Sequence, residues 1–174
     1  MHVYKAPDKD GKGDHRCTPL EIWKIARHAI GIKEWDLDPA CNSFSTIPAK
    51  ICWDGSNQDC NGLVQPWFGH VWLNFPFSNS TIWVDTAIEQ SNRIDEIRSL
   101  TILSSADSST AWWHTLRKAC DSWAAWNGRI HFPLPDKPEG SPGGGVHLSY
   151  IGPRSTRWRR VFEHFGHTTG VGAR

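Results

Sequence analysis

Apolar residues recur at helical spacing in TPLEIWKIARHAIG, at Ile22, Ile25, Ala26, Ala29 and Ile30, which predicts one buried helical face. Thr18 stands where an N-cap belongs, Pro19 suits the first helical position, and Glu21 completes a capping box. Gly31 marks the stop. In EWDLDPACN, Trp35 and Leu37 alternate with acids until Pro39, predicting a short strand that runs into a loop. Residues 42–69 mix Ser, Asn, Gly and Pro and predict irregular chain. HVWLN at 70–74 predicts a short buried strand, 82–91 a helix, and SLTIL at 99–103 another strand. Ser109 or Thr110 caps a helix carrying Trp112, Trp113 and Leu116. GRIHF at 128–132 and VHLSYI at 146–151 predict further strands, and RWRRVFEHF a last helix.

Between the late strands lies PLPDKPEGSPGGG, whose prolines and glycines predict a loop without regular structure. Residues 1–16 are polar and predict a flexible arm, and GHTTGVGAR predicts a frayed end with 171–174 as its tail. Strands alternating with helices predict a three-layer α/β fold with a mostly parallel sheet, as one domain over 17–170.

Composition narrows the class. The chain has 174 residues, 39% hydrophobic and 21% charged, as a single domain with its own core requires. No run of about 18 apolar residues predicts a membrane span, and MHVYKAPDKDGKGDHR has no apolar leader core, so a cytoplasmic protein is expected. The five cysteines form no CxxC pair and read as buried free thiols; a zinc site at Cys52, Cys60 and a histidine is the alternative, without the usual spacing. The net charge of +1 names no partner. The local cluster Arg154, Arg157, Arg159 and Arg160 around Trp158 does, as a cationic stretch with a stacking ring; a solvated helix start is the plainer account.

Two loops carry candidate chemistry, DLDPACN and NFPFSN, each following a predicted strand. In open α/β sheets ligands bind beyond the carboxyl ends of strands. In the second loop, the Asn74 amide and the Phe75 carbonyl offer two acceptors, Pro76 stiffens the backbone, and Phe77 offers a flat apolar face. That set suits a planar ring bearing an amino group, such as adenine. Two acceptors gripping the amine hydrogens favour a tetrahedral nitrogen whose lone pair can attack a methyl group. Neither metal nor covalent nucleophile is needed.

With these motifs in order, residues 17–170 resemble S-adenosylmethionine-dependent amino-methyltransferases. The closest likeness is to the small Dam-like DNA N6-adenine methyltransferases of phages and prophages. The segments that carry it are CTPLEIW, DLDPACN, NGLVQPWFG, VWLNFPFS, STAWW, GRIHF and VHLSYIG. The resemblance implies a three-layer, Rossmann-like methyltransferase fold, abbreviated between the first cofactor motif and the catalytic motif. It implies S-adenosylmethionine contacts at Thr18, Pro19, Asp36, Asp38, Pro39 and Ala40, and adenine binding and catalysis at Asn74, Phe75, Pro76 and Phe77. Asp54 and Asp59 are its candidates for the acid that holds the cofactor ribose.

The chain departs from that pattern in three places. It lacks the GxG loop that larger methyltransferases have after the first strand, with Cys41 and Asn42 in that region, it has SST where the family commonly has TDT, and Phe75 replaces the first proline of NPPY. Phe75 contributes a backbone carbonyl, which any residue supplies, and ribosomal RNA adenine dimethylases carry N-apolar-P-aromatic at this point. The implied partner is double-stranded DNA with its target base extruded. Arg154, Arg157, Trp158, Arg159 and Arg160 are the expected DNA contacts, with Lys5, Lys9 and Lys12 adding phosphate contacts. The loop at 133–145 is either a clamp on DNA or a plain connection. The length leaves no room for a separate recognition domain, so sequence specificity should be short or weak. An N4-cytosine methyltransferase and a catalytically inactive binding module remain the alternatives; Asn74, where N4 enzymes often have serine, favours adenine.

Overall fold

The computed structural model describes residues 17–93, 95–134, 137–142 and 144–170, with no side-chain description over 134–143. The N-terminal arm with Lys5, Lys9 and Lys12, and the tail 171–174, lie outside the described residues. The elements in chain order are α1 (Leu20–Ile30), β1 (Trp35–Asp38), β2 (Ala49–Cys52), β3 (Gly69–Asn74), α2 (Ser80–Ser91), β4 (Ile97–Ser105), α3 (Ala111–Ala119), β5 (Ser122–Trp126), β6 (His131–Leu134), β7 (Lys137–Pro142), β8 (Val146–Ile151), α4 (Ser155–Phe162) and β9 (Gly166–Gly170).

Seven strands form one sheet in the order β2-β1-β3-β4-β8-β5-β9. β2, β1, β3 and β4 pair in parallel, whereas β8, β5 and β9 join through antiparallel ladders. The sheet is therefore mixed, not mostly parallel. A parallel return needs a crossover, usually helical. Between β5 and β8 the described chain makes only the β6–β7 ribbon, and β8 enters antiparallel to β4. That ribbon corrects the expected structureless loop: the backbone of 137–142 pairs with 131–134 despite its prolines. β9 corrects the expected fraying of residues 166–170, because GHTTG is tied along its length to β5.

Side-chain alternation along the central strands divides the core. Val71 and Leu73 of β3, with Leu100 and Ile102 of β4, pack with Trp83, Val84, Ala87 and Leu116 of α2 and α3. Trp72 and Leu103 point the other way and pack with Ile22, Ala26 and Ile30 of α1 and with Trp158 and Phe162 of α4. A strand of period two can feed both faces only in this way.

The C-terminus of α1 shows what holds α4 in place. Gly31 takes φ 71°, and its amide caps the Arg27 and His28 carbonyls. Arg154 donates to the Ile30 carbonyl, and Arg157 donates to the His28 carbonyl at 3.0 Å. These carbonyls carry the negative end of the helix dipole. The expected DNA contacts Arg154 and Arg157 are thus engaged in docking α4 on α1. Trp158 is fully buried, with its ring 5.7 Å from Tyr150 and 4.2 Å from Phe162. It is a core residue, which corrects its expected role as an exposed stacking group.

Gly69 sits where β3 begins, with φ +67°. An added Cβ would lie 2.4 Å from Asp36 Oδ2. Gly128 also has positive φ, at +90°, but its Cβ would meet nothing within 4 Å. Gly69→Ala is expected to cost about 2–4 kcal/mol in urea unfolding, from strain plus the clash. Gly128→Ala should cost only about 1 kcal/mol, from backbone strain alone.

Candidate active site

The carboxyl ends of β1, β2 and β3 lie side by side, and each runs into a polar loop. Leu37 pairs with Ile51 and with Val71, and Asp38 pairs with Cys52. This arrangement brings Asp38, the segment after Cys52, and Asn74 to one edge of the sheet. Between β1 and β3 the described chain forms β2 and a 3-10 turn at Gln58–Cys60 but no α-helix. The expected abbreviation is real, although the 42–69 stretch contains a strand that its composition hides.

Asn74 ends β3 on the face that Trp72 shares, toward α1. Its Nδ2 donates to Thr18 Oγ1 at 3.0 Å. Thr18 is 4% exposed. It is not the helix cap: Pro19 holds that position, no side-chain cap bond forms, and the expected capping box with Glu21 is absent. The Thr18 hydroxyl instead orients the Asn74 amide. The Cys17 amide donates to the Pro133 carbonyl at 3.1 Å and anchors this segment on β6.

Phe75 is 2% exposed. Its ring meets Phe77 edge-on at 5.9 Å and Trp112 at 6.2 Å, so α3 accommodates the side chain that replaces a proline. Pro76 has φ −57° and ψ 119° and directs the chain into the 3-10 turn Phe77–Asn79 that enters α2. Phe77 is half-buried, and its carbonyl accepts from the Ser80 hydroxyl at 2.8 Å. Each residue of NFPF therefore has a defined role: strand end, core plug, bend and helix entry.

Asp38 is 3% exposed, and its Oδ1 accepts from the Ala40 amide at 3.2 Å. Burial, and then the Cys52 charge, push its carboxyl well above the ordinary range. The loop carrying Pro39 is pressed from behind by Gly62. A Cβ there would lie 2.0 Å from the Pro39 carbonyl oxygen. The Gly62 carbonyl also accepts from Trp67 Nε1 at 2.7 Å, and Trp67 is fully buried. In NGLVQPW, then, the glycine permits contact with the first loop and the tryptophan secures the glycine.

Of the two acids considered for a ribose, Asp54 lies just past β2, where its carboxylate accepts from the Ser56 amide at 3.0 Å. The Ser56 hydroxyl and amide hold it below the ordinary carboxylate range. Asp59 lies in the 3-10 turn, and both it and Asp54 are exposed. Asp36 stands apart. Its carboxylate takes the Lys50 ammonium at 2.7 Å and the His70 amide at 2.8 Å, near the amino end of β3. Burial opposes its charge, but Lys50 and His70 outweigh it and hold the carboxyl below its usual value. Arg154 and Arg157, at the Ile30 end of α1, also lie at the end of the sheet opposite Asn74. Arg159 is half-buried and Arg160 is exposed.

The cysteines are not uniformly buried thiols: Cys17 and Cys120 are buried, Cys41 and Cys60 intermediate, and Cys52 exposed. Cys41 lies opposite the end of β2, its amide donating to the Trp53 carbonyl at 3.1 Å. Its thiol hydrogen-bonds Cys52, which raises Cys41 and holds Cys52 at about 7. Deprotonation below the usual ~8.5 makes a thiol the better nucleophile near neutrality. In mass-spectrometric alkylation Cys52 is expected to react first, with a midpoint near pH 7. Cys41→Ala should move that midpoint upward.

Residues 5–147 match the family model described as DNA N-6-adenine-methyltransferase (Dam). A DNA N-6-adenine-methyltransferase of Escherichia phage T1 is 35% identical over 106 residues, which is 56% of this chain and 41% of that relative. The chain thus spans less than half the length of the phage T1 protein it matches. Among the described residues, no helix is long and apolar enough to cross a membrane. By the extent of the family match, this chain belongs to the DNA N-6-adenine-methyltransferase (Dam) family.

Proposed function

We propose that the protein transfers a methyl group from S-adenosylmethionine to the N6 amine of an adenine in double-stranded DNA, using Asn74 to Phe77 as the receptor for the base. The observation that carries this reading is the neighbourhood of Asn74 and Asp38 at the ends of paired strands, with Asn74 oriented by Thr18. We read residues 17–170 as one methyltransferase domain, and the helices on both sheet faces as a three-layer, Rossmann-like arrangement.

The residues present fit the cofactor. The chain beyond β1 and β2 offers a buried carboxyl at Asp38, an exposed carboxylate at Asp54, and the loop Pro39–Ala40 braced by Gly62. In this reading Asp38 shapes the loop through the Ala40 amide, and Asp54 receives the ribose hydroxyls better than Asp59, because it directly follows a strand adjoining β1. Thr18 and Pro19 adjoin Asn74 and serve the methionine end. Bound S-adenosylmethionine supplies an electrophilic methyl on a sulfonium.

The chain's part in the chemistry is orientation. The Asn74 amide oxygen and the Phe75 carbonyl accept from the adenine amine, and the half-buried Phe77 ring lies against the base. Their grip strengthens as the nitrogen gains positive charge, so it favours the transition state over the ground state. Alignment of amine and methyl group supplies a further entropic gain. The duplex must release the base for this to occur, and its unstacking costs a few kcal/mol. The buried Phe75 side chain supports the geometry, because its backbone is fixed by packing where a proline would fix it covalently.

The test is to incubate the purified protein with labelled S-adenosylmethionine and unmethylated DNA, and to identify the modified nucleoside by mass spectrometry. N6-methyladenine is expected. Asn74→Ala should lower transfer by about 10²–10³-fold, the effect of removing one such polar group, with a cooperative thermal transition at a midpoint lowered by loss of the Thr18 bond. N4-methylcytosine as the product, or tight cofactor binding with no transfer, would overturn the proposal.

Gly62→Ala probes the cofactor loop separately. Its Cβ cannot coexist with the Pro39 carbonyl, so the loop must shift. Calorimetric titration with S-adenosylmethionine should show affinity reduced tenfold or more. Affinity equal to wild type would remove Pro39 and Ala40 from the binding loop.

A further inference from the structure

On the α3 side of the sheet, beyond β8, no helix of the described chain covers β5 and β9; the contacts of α4 lie on their other face. Register places His147, Trp123 and His167 on this uncovered face, since Ala125 pairs with His147 and with His167. α3 borders it with Trp113 and Arg117.

These groups are mutually arranged. The Arg117 guanidinium lies 4.6 Å from the Trp123 ring centre and 5.9 Å from that of Trp113. Trp113 Nε1 donates to His147 Nδ1 at 2.6 Å. That bond makes Nδ1 the acceptor and puts the histidine proton on Nε2. Burial, together with the Arg117 charge, holds His147 below its usual pKa and neutral. Trp123 also meets the His147 ring at 5.1 Å and His167 at 6.3 Å.

Arg117 brings a positive charge to this face. Arg117 belongs to none of the ion pairs among the described residues. Lys118 and His114 are exposed on the same helix. Of the acids on this side, Asp121 accepts from the Gly152 amide at 2.7 Å, and Asp107 accepts within its own turn at Ser109.

The patch also adjoins the candidate site. His147 pairs with Ser104, and Asn74 pairs with Leu103. His147 is therefore one register step past Asn74 and two strands away, about 10 Å along the strand ends at the usual ~4.8 Å strand spacing, with its side chain on the α3 face and that of Asn74 on the α1 face. Trp112, which packs on Phe75, is the chain neighbour of Trp113. A DNA strand carries one phosphate per ~3.4 Å of helix axis, so one laid across the strand ends spans that separation.

We propose that Arg117, His147, Trp113 and Trp123 form a contact for the DNA backbone beside the acceptor base. Arg117 takes a phosphate, the His147 Nε2–H donates to the same strand, and the indoles form an apolar wall against sugar or base. A guanidinium held flat over an indole loses little freedom on binding, and its edge still donates. This proposal rests on the reading of the protein as a DNA methyltransferase, and it assigns to this patch the role that the sequence suggested for the α4 arginines.

The experiment measures binding of the full chain to a fluorescein-labelled duplex by anisotropy across a salt series, alongside methyl transfer. Arg117→Gln is expected to weaken DNA binding about tenfold and to flatten the slope of log K against log salt by ~0.9, the value for one phosphate. It should raise KM for DNA and leave kcat at saturating DNA and KM for S-adenosylmethionine unchanged. Trp123→Ala should weaken binding likewise, and Trp123→Phe should restore most of it, which separates contact from fold. Arg160→Gln, on the exposed side of α4, should change neither slope nor affinity. Wild-type affinity and slope in both Arg117→Gln and Trp123→Ala would overturn the proposal, as would a loss confined to Arg160→Gln. A wild-type chain that binds DNA through Arg117 without transferring methyl groups would sink the enzymatic reading and leave the surface standing.

Discussion

One hydrogen bond ties the two ends of the candidate site together: Asn74 Nδ2 to Thr18 Oγ1, 3.0 Å long and spanning 56 residues of chain. Its buried threonine would cost about 1–3 kcal/mol if left without a partner. The bond sets the rotation of the Asn74 amide, and it also sets where α1 begins. Because the hydroxyl serves β3, the helix starts without a side-chain cap, one residue later than a capping box would have it. The local rule for helix ends loses to a longer-range demand at the place where chemistry is expected, a departure of the kind found at functional or strained sites.

The same economy governs the path from β1 to β3. A full crossover would place a helix between adjacent parallel strands. Here β2 lies at the sheet edge and the chain returns through a 3-10 turn. Without a helix to brace the first loop, the bracing comes from backbone contact: Gly62 against Pro39, itself held by the buried Trp67. Bulk is forbidden at position 62 for a reason of distance alone.

How much of this was legible in the sequence follows from the physics of each segment. α1, α2, β3, β4 and β8 were readable because buried faces impose a period, and Ile22, Ala26 and Ile30, or Val71 and Leu73, display it. β2 was not, since Lys50, Ile51 and Cys52 are exposed and obey no burial pattern. β5 and β9 were missed because SWAAW and GHTTG mix small and half-buried residues, and only their mutual pairing makes them strands. Within the arginine cluster, Arg154 and Arg157 hold helix carbonyls: a guanidinium suits a helix C-terminus as well as a phosphate, and sequence spacing does not distinguish them. Trp158 likewise offered a stacking face, and Tyr150 and Phe162 occupy it.

Phe75 shows how a motif can change a residue and keep its geometry. A proline restrains its own φ and the residue before it. Phe75 keeps the second restraint, from Pro76, but lacks the ring that would fix its own φ; its side chain is instead sealed between Phe77 and Trp112, and moving the backbone would pull that ring from the core. Removing such a ring typically costs about 3–5 kcal/mol, a restoring force comparable to a covalent restraint on a backbone angle. Pro76 remains to turn the chain toward α2. The substitution therefore transfers the task of holding the tetrapeptide from the proline ring to α3, and links the shape of the candidate base receptor to the helix that carries Trp112, Trp113 and Arg117.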